Sequence, residues 1–324
     1  MRTITLEEHF ATPAFFDGPG RELKNRAEKV GGRYANLMER LVDVGAKRIA
    51  EMDAAGIDMQ VMSLTAPGVE QLEPADAIAL ARDSNDYLAD AVKKNPSRFA
   101  AFAALPTPSP RDAAAELEKR VRHQGFKGAA INGHNRGRYL DDKFYAPILE
   151  CAEALDVPLY LHPTPPPQPV LDTYYGGFAP LVTEMLAGGV WGWHIETAVH
   201  VIRLVLGGVF DRHPKLQVVI GHMGEGLPFF MQRFDIVPGT VTGLKRPISA
   251  YMRKNVHSTF SGFNFPPTFL DLLLELGGID RIMFSADHPY QSMPQARAFL
   301  DQIPVSAADK ERIAHGNAEK LFKL

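Results

Sequence analysis

Disulfide bonds and membrane-spanning segments are both missing from this sequence of 324 residues. Its only cysteine is Cys151, so no intramolecular disulfide can form, and such cysteine usage fits a reducing compartment. No run of about 18 apolar residues offers a membrane span, and the N-terminal residues lack the apolar core of a secretory signal. We therefore expect a cytoplasmic protein with no membrane partner.

An excess of positive charge is also absent. The chain has 35 Lys and Arg residues against 38 Asp and Glu residues, with a formal net charge of -3. This balance gives no reason to expect a nucleic-acid partner. No glycine-rich fingerprint follows the first predicted strand, which counts against a dinucleotide-binding fold. The apolar share of 45% is enough for a full hydrophobic core.

Short β-branched or apolar runs alternate with amphipathic helical patterns along the whole chain. The eight runs are TITLEE (3–8), DMQVMSL (58–64), FAAFAAL (99–105), KGAAIN (127–132), VPLYLH (157–162), LQVVIGH (216–222), NVHSTFS (255–261) and DRIMFSAD (280–287). Between them, apolar residues recur at spacings of three and four, as in a helix packed on a sheet. Eight alternations predict an α/β fold of the (β/α)8 (TIM) barrel type. FAAFAAL is the weakest strand, because alanine favours helix.

We expect one barrel domain over residues 1–324, with two long excursions at 11–45 and 163–195. The second excursion begins with the proline-rich stretch HPTPPPQP. Long loops in a compact barrel commonly cover a site.

Polar residues stand at the carboxyl ends of the predicted strands, where barrel enzymes carry their active sites. They are Glu7, His9, Thr65, Asn132, His134, His162, His222, Ser258, Ser261 and Asp287. Imidazole and carboxylate groups at the ends of the first, fifth, sixth and eighth strands indicate a shared site.

Side-chain alternation predicts that Glu7 and His9 share the axial face of the first strand while Glu8 points the other way. The same alternation assigns Thr3 and Thr5 to the axial face, and Ile4, Leu6 and Phe10 to the helix-facing side. A solvated strand end is the plainer interpretation of Glu7. Glu8 suits a supporting or surface role.

One carboxylate with two or three imidazoles suits a divalent ion such as Zn, Mn or Fe. Glu7, His9, His162 and Asp287 would converge from the first, fifth and eighth strands and leave positions open for substrate. For His162 the alternative is a hydrogen-bonded core histidine. Asp287 follows the apolar run IMFSA, where an unpaired carboxylate would be costly.

The blocks TLEEHF, SLTAPGV, LYLHP, VIGHMGEGLP, FSADHPY and GNAEKLFKL resemble, in the same order, the decarboxylases of the amidohydrolase superfamily. The similarity is greatest to the families that act on γ-resorcylate, 2,3-dihydroxybenzoate and 5-carboxyvanillate. It extends over nearly the whole chain, and VIGHMGEGLP together with LEEHF is its most specific part.

The resemblance implies one divalent ion, Mn or Zn, held by Glu7, His9, His162 and Asp287. It also implies that His222, with Glu225 behind it, lies beside the metal, and that Arg233 lies near the substrate. It suggests homodimers or homotetramers.

Two positions qualify the resemblance. His288 stands where relatives usually carry Trp or Tyr, which leaves the substrate open. Binuclear relatives use a lysine after the fourth strand, where this chain has Asn132, Gly133 and His134, so a mononuclear site fits better.

Several further residues have two readings at the sequence level. Glu225 could orient the imidazole of His222, or both could belong to a helix cap. Thr65, Asn132, His134 and His288 are candidates for substrate contact, with loop hydrogen bonding as the alternative. A surface salt bridge is the alternative for Arg233. His194, His200, His213, His257 and His315 are interpreted as structural, and Trp191 and Trp193 as part of a site cover or subunit interface.

These residues predict metal-dependent decarboxylation of a small hydroxybenzoate-type acid. Asp287 would donate a proton to the ring carbon, assisted by His222 and Glu225. Two alternatives remain: metal-dependent hydrolysis of a lactone, ester or amide, and a metal-binding protein without catalysis.

Overall fold

A computed structural model describes residues 1–30 and 36–324 of the chain. Its strands all pair in parallel. They are β1 (Ile4–Phe10), β2 (Met59–Leu64), β3 (Phe99–Ala101), β4 (Ala103–Ala104), β5 (Ala129–Asn132), β6 (Leu159–His162), β7 (Val218–Ile220), β8 (Val256–Thr259) and β9 (Ile282–Met283).

The strand order follows the sequence order, β1-β2-β3 and then β4 to β9, with the break between the two sheets at Phe102. Because β3 and β4 are two halves of the predicted strand 99–105, they count as one, and the barrel has eight strands. The ring closes where β1 meets the segment after β9: Glu7 N donates to Ser285 Oγ at 2.9 Å, and His9 N donates to His288 O at 2.7 Å. The predicted (β/α)8 barrel is confirmed.

Helices follow the strands and cover the outside of the barrel. The α-helices are α1 (Pro13–Asp17), α2 (Arg21–Val30), α3 (Leu37–Val42), α4 (Ala46–Ala55), α5 (Pro74–Lys94), α6 (Pro110–Gln124), α7 (Ala146–Leu155), α8 (Gln168–Val170), α9 (Pro180–Met185), α10 (Gly192–Leu206), α11 (Val209–Arg212), α12 (Leu227–Phe234), α13 (Gly239–Thr242), α14 (Ile248–Asn255), α15 (Pro266–Glu275), α16 (Met293–Gln302), α17 (Ala307–Glu311) and α18 (Asn317–Phe322). Short 3₁₀ turns occur at Lys143–Tyr145, His222–Gly224 and Ile279–Arg281, and π turns at Leu171–Tyr175, Leu186–Val190 and Arg312–Gly316. Among the described residues, no helix has the length and apolarity needed to cross a bilayer.

The two long excursions contain short helices. The segment 11–45 contributes α1, α2 and α3, and its residues 31–35 lie outside the described part of the chain. The segment 163–195 contributes α8, α9, the π turns at 171–175 and 186–190, and the start of α10.

Two apolar clusters form the core. The larger one packs the helices on the outer face of the sheet and includes Phe10, as predicted. The smaller one fills the barrel axis with side chains from successive strands: Ile4, Leu6, Met59, Val61, Ala100, Phe102, Ala130, Tyr160, Val219 and Met283, with Ala318 and Phe322 of the last helix packed into it.

The placement of Ile4 and Leu6 in the axial cluster corrects the predicted alternation of β1. The register of β1 on β2 shifts between Thr5 and Glu8, which marks a β-bulge. A bulge inserts one extra residue and reverses which face the following side chains occupy. Leu6 and Glu7 therefore both face inward, although they are adjacent in the sequence.

Candidate metal centre

Glu7, His9 and His162 come together inside the mouth of the barrel, each at most 6% exposed. Their candidate ligand atoms all lie within 4.8 Å of one another. His162 Nε2 is 3.3 Å from Glu7 Oε1, and His9 Nε2 is 3.3 Å from Asp287 Oδ1. Two ligands that each lie about 2.0–2.2 Å from one ion are separated by roughly this distance. The structure thus brings together all four residues of the predicted ligand set.

The donor atoms of this cluster support a bound cation. Glu7 Oε1 and both ring nitrogens of His9 are buried, and none has a hydrogen-bond partner among the described residues. Buried polar atoms are nearly always paired, so an unpaired set calls for an ion or water. One carboxylate oxygen and unpaired imidazole nitrogens are the donors that Zn²⁺ and Mn²⁺ accept. The residues present therefore fit one divalent ion.

Glu7 is held by hydroxyl groups on its other oxygen. Tyr160 Oη and Ser261 Oγ both donate to Oε2, so Oε1 is left facing His162 and His222. Burial alone would raise the pKa of Glu7, but the neighbouring imidazoles, His222 above all, lower it below its ordinary value. Glu7 is therefore a carboxylate at neutral pH.

Both imidazoles of the cluster are neutral. Burial lowers the pKa of His9 to about 4 and that of His162 to about 3. Neutral imidazole is the form that binds a metal. Their rings meet edge to face, with centroids 4.8 Å apart.

A second buried group stands beside the first. His222 Nδ1 lies 2.7 Å from Glu225 Oε1, and His194 Nδ1 lies 2.6 Å from Glu225 Oε2, so one carboxylate bridges two imidazoles. His222 Nε2 points toward the first cluster, 3.7 Å from Glu7 Oε1. This places His222 and Glu225 as the sequence predicts.

The charges of this second group are strongly coupled. Burial would lower the pKa of His222, but the carboxylates of Glu225 and Glu7 outweigh it and raise the pKa to about 10. Burial would raise the pKa of Glu225, but His222 and His194 lower it to about 2. His222 is therefore an imidazolium between two carboxylates.

Several residues in the loops that follow the barrel strands have an unusual backbone conformation. Positive φ angles occur at His222 (48°), Met223 (55°), Glu225 (53°), Ser261 (44°) and Asp287 (61°). A non-glycine residue in the left-handed region costs about 1–2 kcal/mol, and such residues cluster at functional sites. The surrounding hydrogen bonds must therefore fix these turns.

The candidate substrate residues have different surroundings. Thr65 Oγ1 is 2.6 Å from Tyr290 Oη, and Asn132 Oδ1 is buried without a partner among the described residues. Both ring nitrogens of His134 are used by the loop, with Nε2 3.2 Å from Pro165 O and Nδ1 accepting from Gly137 N. Asn132 is thus the member of this set with an unused acceptor.

The side chains of His288 and Arg233 have surroundings of their own. The ring of His288 is buried, with Nδ1 3.3 Å from Arg40 Nη2 and 3.9 Å from Glu51 Oε2. Arg233 is exposed on α12. Their roles toward a substrate stay predictions.

Sequence reasoning missed three residues. His194, which the sequence suggests is structural, binds Glu225 beside His222; it lies on α10, and no sequence spacing links it to His222. Tyr290 packs edge to face on His9 with ring centroids 5.4 Å apart. Tyr160 was the one with a signal, because it precedes His162 by two residues on the same strand face.

A buried cluster of carboxylate and imidazole groups at the carboxyl ends of the strands of an α/β barrel is typical of metal-dependent barrel enzymes. The chain belongs to the amidohydrolase family, whose profile matches residues 12–324.

Similar proteins cover the chain from end to end. It is 40% identical to γ-resorcylate decarboxylase of Polaromonas sp. strain JS666, over 99% of this chain and 98% of the relative. The crystal structure of a dihydroxybenzoic acid decarboxylase from Polaromonas sp. JS666, with bound manganese and the inhibitor 2-nitroresorcinol, is 39% identical with a TM-score of 0.91 and covers 100% of this chain and 97% of that one.

A third relative is the 5-carboxyvanillate decarboxylase of Novosphingobium aromaticivorans, complexed with manganese and 4-hydroxy-3-methoxy-5-nitrobenzoic acid. Its structure is 35% identical, with a TM-score of 0.91, and covers 100% of this chain and 96% of that one. Structural relatives of the chain thus contain manganese, and the chain itself has a cluster that could bind one metal ion.

Proposed function

We propose that this protein is a metal-dependent decarboxylase that releases CO2 from an aromatic acid with a hydroxyl group next to the carboxylate. The observation that carries the proposal is the convergence of Glu7, His9 and His162, with Asp287 3.3 Å from His9, in the buried mouth of the barrel at distances that one divalent ion can span. The names of the full-length relatives support the reaction class.

In this proposal the same four residues hold one divalent ion, Mn or Zn. When bound, such an ion would supply Lewis acidity and a template for an acidic substrate. Tyr160 and Ser261 keep Glu7 in place through its second oxygen.

Asp287 donates the proton. Direct loss of CO2 would leave an aryl carbanion of very high energy, whereas protonation of the ring carbon first avoids it. A C–H bond forms with the proton of the Asp287 carboxyl group, the C–C bond to the carboxylate then breaks, and its electron pair restores the aromatic ring. Asp287 then regains its proton from the solvent, so one H⁺ is taken up for each CO2 released. General acid catalysis of this kind contributes about 10²–10⁴ in rate.

His222 and Glu225 set the charge beside the reacting ring. Glu225 accepts the Nδ1 proton of His222, which keeps Nε2 directed to the cluster. The imidazolium stabilises negative charge on a substrate oxygen while the ring is dearomatised. Asn132 offers its unpaired amide oxygen to a substrate hydroxyl, and Thr65, His134, His288 and Arg233 complete the set of proposed substrate residues.

The experiment that tests this function is incubation of the manganese-loaded protein with 2,6-dihydroxybenzoate, 2,3-dihydroxybenzoate and 5-carboxyvanillate, with CO2 and the phenol product measured. We expect release of both from at least one acid and none after metal removal. A parallel panel of lactones and esters in ¹⁸O-labelled water tests the hydrolytic alternative. Label in the product with no CO2 from any acid would contradict the proposal.

The chain is further proposed to act as one unit over residues 1–324, in the cytoplasm, as a homodimer or homotetramer. Two exposed apolar stretches support self-association: Trp191 in 174–191 is 55% exposed and Phe229 in 229–241 is 81% exposed. Light scattering of the purified protein tests this, and a monomeric mass at micromolar concentration would contradict it.

A further inference from the structure

Glu8 is a fully buried carboxylate that the reaction proposed above does not use. It is 0% exposed and lies on the opposite face of β1 from Glu7 and His9. The bulge between Thr5 and Glu8 places Glu7 and His9 toward the axis and sends Glu8 toward the segment that follows β9. A buried charge is costly unless several groups bind it, so its partners show what it does.

Those partners include the backbone N–H groups of the two residues that flank Asp287. Ala286 N donates to Glu8 Oε1 at 2.9 Å, and His288 N donates to Glu8 Oε2 at 3.3 Å. Gln60 Nε2 also donates to Oε2, at 3.0 Å. The two oxygens of one side chain thus hold the backbone N–H groups of the residues before and after the proposed ligand and proton donor.

The backbone of Asp287 needs such support. Its φ of 61° lies in the left-handed region, which costs a non-glycine residue free energy, although aspartate tolerates this region better than most side chains. The turn that carries Asp287 is also held to β1 by a backbone hydrogen bond, in which His9 N donates to His288 O at 2.7 Å. The strand that carries two proposed ligands therefore also fixes the turn that carries the fourth.

Glu8 is itself immobilised from behind. Arg48 is buried and donates to the carbonyl oxygen of His9 at 2.6 Å, so it holds the strand that carries Glu8. Gln60, which donates to Glu8, is also 3.4 Å from Arg48 through its amide oxygen. The hydrogen bonds named here for Glu8, Gln60 and Arg48 all go to protein groups, which fits a role in positioning rather than in chemistry.

We propose that Glu8 is the positioning residue of Asp287: its carboxyl group binds the backbone N–H groups of Ala286 and His288 and so sets where the Asp287 side chain meets the metal cluster. The inference rests on the role proposed for Asp287, and it concerns metal binding before any turnover. Substituting partners of metal ligands typically weakens metal affinity by about 10–100-fold.

The test is Glu8→Gln, which keeps the size of the side chain but replaces one acceptor oxygen with an NH2 group that faces N–H donors. We expect manganese affinity, measured by electron paramagnetic resonance of free Mn²⁺, to fall about 10–100-fold. The amide hydrogens of Ala286 and His288 should exchange at least about tenfold faster in the metal-free protein. Unchanged affinity together with unchanged exchange would overturn the proposal.

The matched control is Glu116→Gln. Glu116 is also a buried carboxylate, paired with Asn85 and Arg120 far along the chain from the cluster. We expect it to lower stability without changing manganese affinity or exchange at Ala286 and His288. Equal effects of both variants on manganese affinity would reduce Glu8 to a general stability residue and overturn the proposal.

Two further outcomes need to be told apart: a variant that does not fold, and a wild-type protein that binds manganese but has no decarboxylase activity. If Glu8→Gln does not fold, exchange in the metal-free wild-type protein decides: Ala286 and His288 must be strongly protected, and exchange as fast as in an open loop would overturn the proposal. If the wild type binds manganese but decarboxylates no acid, the proposed function fails while the Glu8 readouts remain valid, because none of them uses turnover.

Discussion

Gly221 offers a way to displace Glu7 without changing any charge. It ends β7 just before His222, with φ −86° and ψ −163°, values that alanine adopts freely. A Cβ at this position would lie 2.9 Å from Ser261 Oγ and 3.0 Å from Glu7 Cδ, and closer still to Glu7 Oε2. Gly221→Ala is therefore a purely steric perturbation of the proposed metal site.

The size of the effect follows from these distances. Carbon atoms in contact prefer about 3.5–4.0 Å, so the Glu7 carboxylate must retreat by roughly 0.5–1 Å. Metal sites tolerate ligand displacements of about 0.2 Å, and misplacement of a reacting group by about 1 Å costs about 10²-fold. We expect manganese affinity to fall about 100-fold, and overpacking to lower the free energy of unfolding by about 1–3 kcal/mol.

Isothermal titration with Mn²⁺ measures the first effect, and urea unfolding of the metal-free protein measures the second. Gly239→Ala is the control, because a Cβ there meets only Leu244 O, at 3.5 Å, an ordinary contact. Wild-type manganese affinity in Gly221→Ala would refute the placement of Glu7 in the metal site. A loss of affinity in Gly239→Ala as well would show that the assay reports general damage.

Three other predictions address the reaction, the ligand set and the response to pH. Asp287→Asn should fold but lose at least about 10²-fold in CO2 release, and normal rates would remove Asp287 as proton donor. Glu7→Gln should emerge from gel filtration with less metal than the wild type, and full loading by metal analysis would exclude Glu7 as a ligand. Burial lowers the pKa of His200 to about 3, so the unfolded chain binds more protons than the folded protein between that value and about 6.5. The free energy of unfolding should therefore fall as the pH drops through this window, by about 3 kcal/mol at pH 4.5. Urea unfolding at several pH values should show a smaller fall for His200→Gln than for the wild type. Equal falls in the two proteins would contradict this prediction.

The barrel could be predicted from the sequence because its pattern is local, and the structure brings together the four residues that the sequence predicts as metal ligands, a role that stays a prediction. Alternating strand and helix patterns predict the barrel strands, and polar residues at the strand ends predict where the site lies. The strand predicted at 280–287 is regular only over Ile282–Met283, since the rest turns to present Asp287. Phe102 likewise interrupts the predicted strand 99–105.

What could not be predicted depends on contacts between distant parts of the chain. The bulge in β1 is set by its pairing with β2, so strict alternation assigned Ile4 and Leu6 to the wrong face. His194 lies on a helix whose own pattern is apolar, and only the packing of α10 brings its ring to Glu225. The partners of Glu8 are 278 and 280 residues away along the chain.

The most direct test of the account is a crystal of the manganese-loaded protein measured at the manganese absorption edge. The account predicts one strong anomalous peak within coordination distance of Glu7, His9, His162 and Asp287. A peak at the His194–His222–Glu225 group instead, or no peak in a protein that binds manganese in solution, would contradict it.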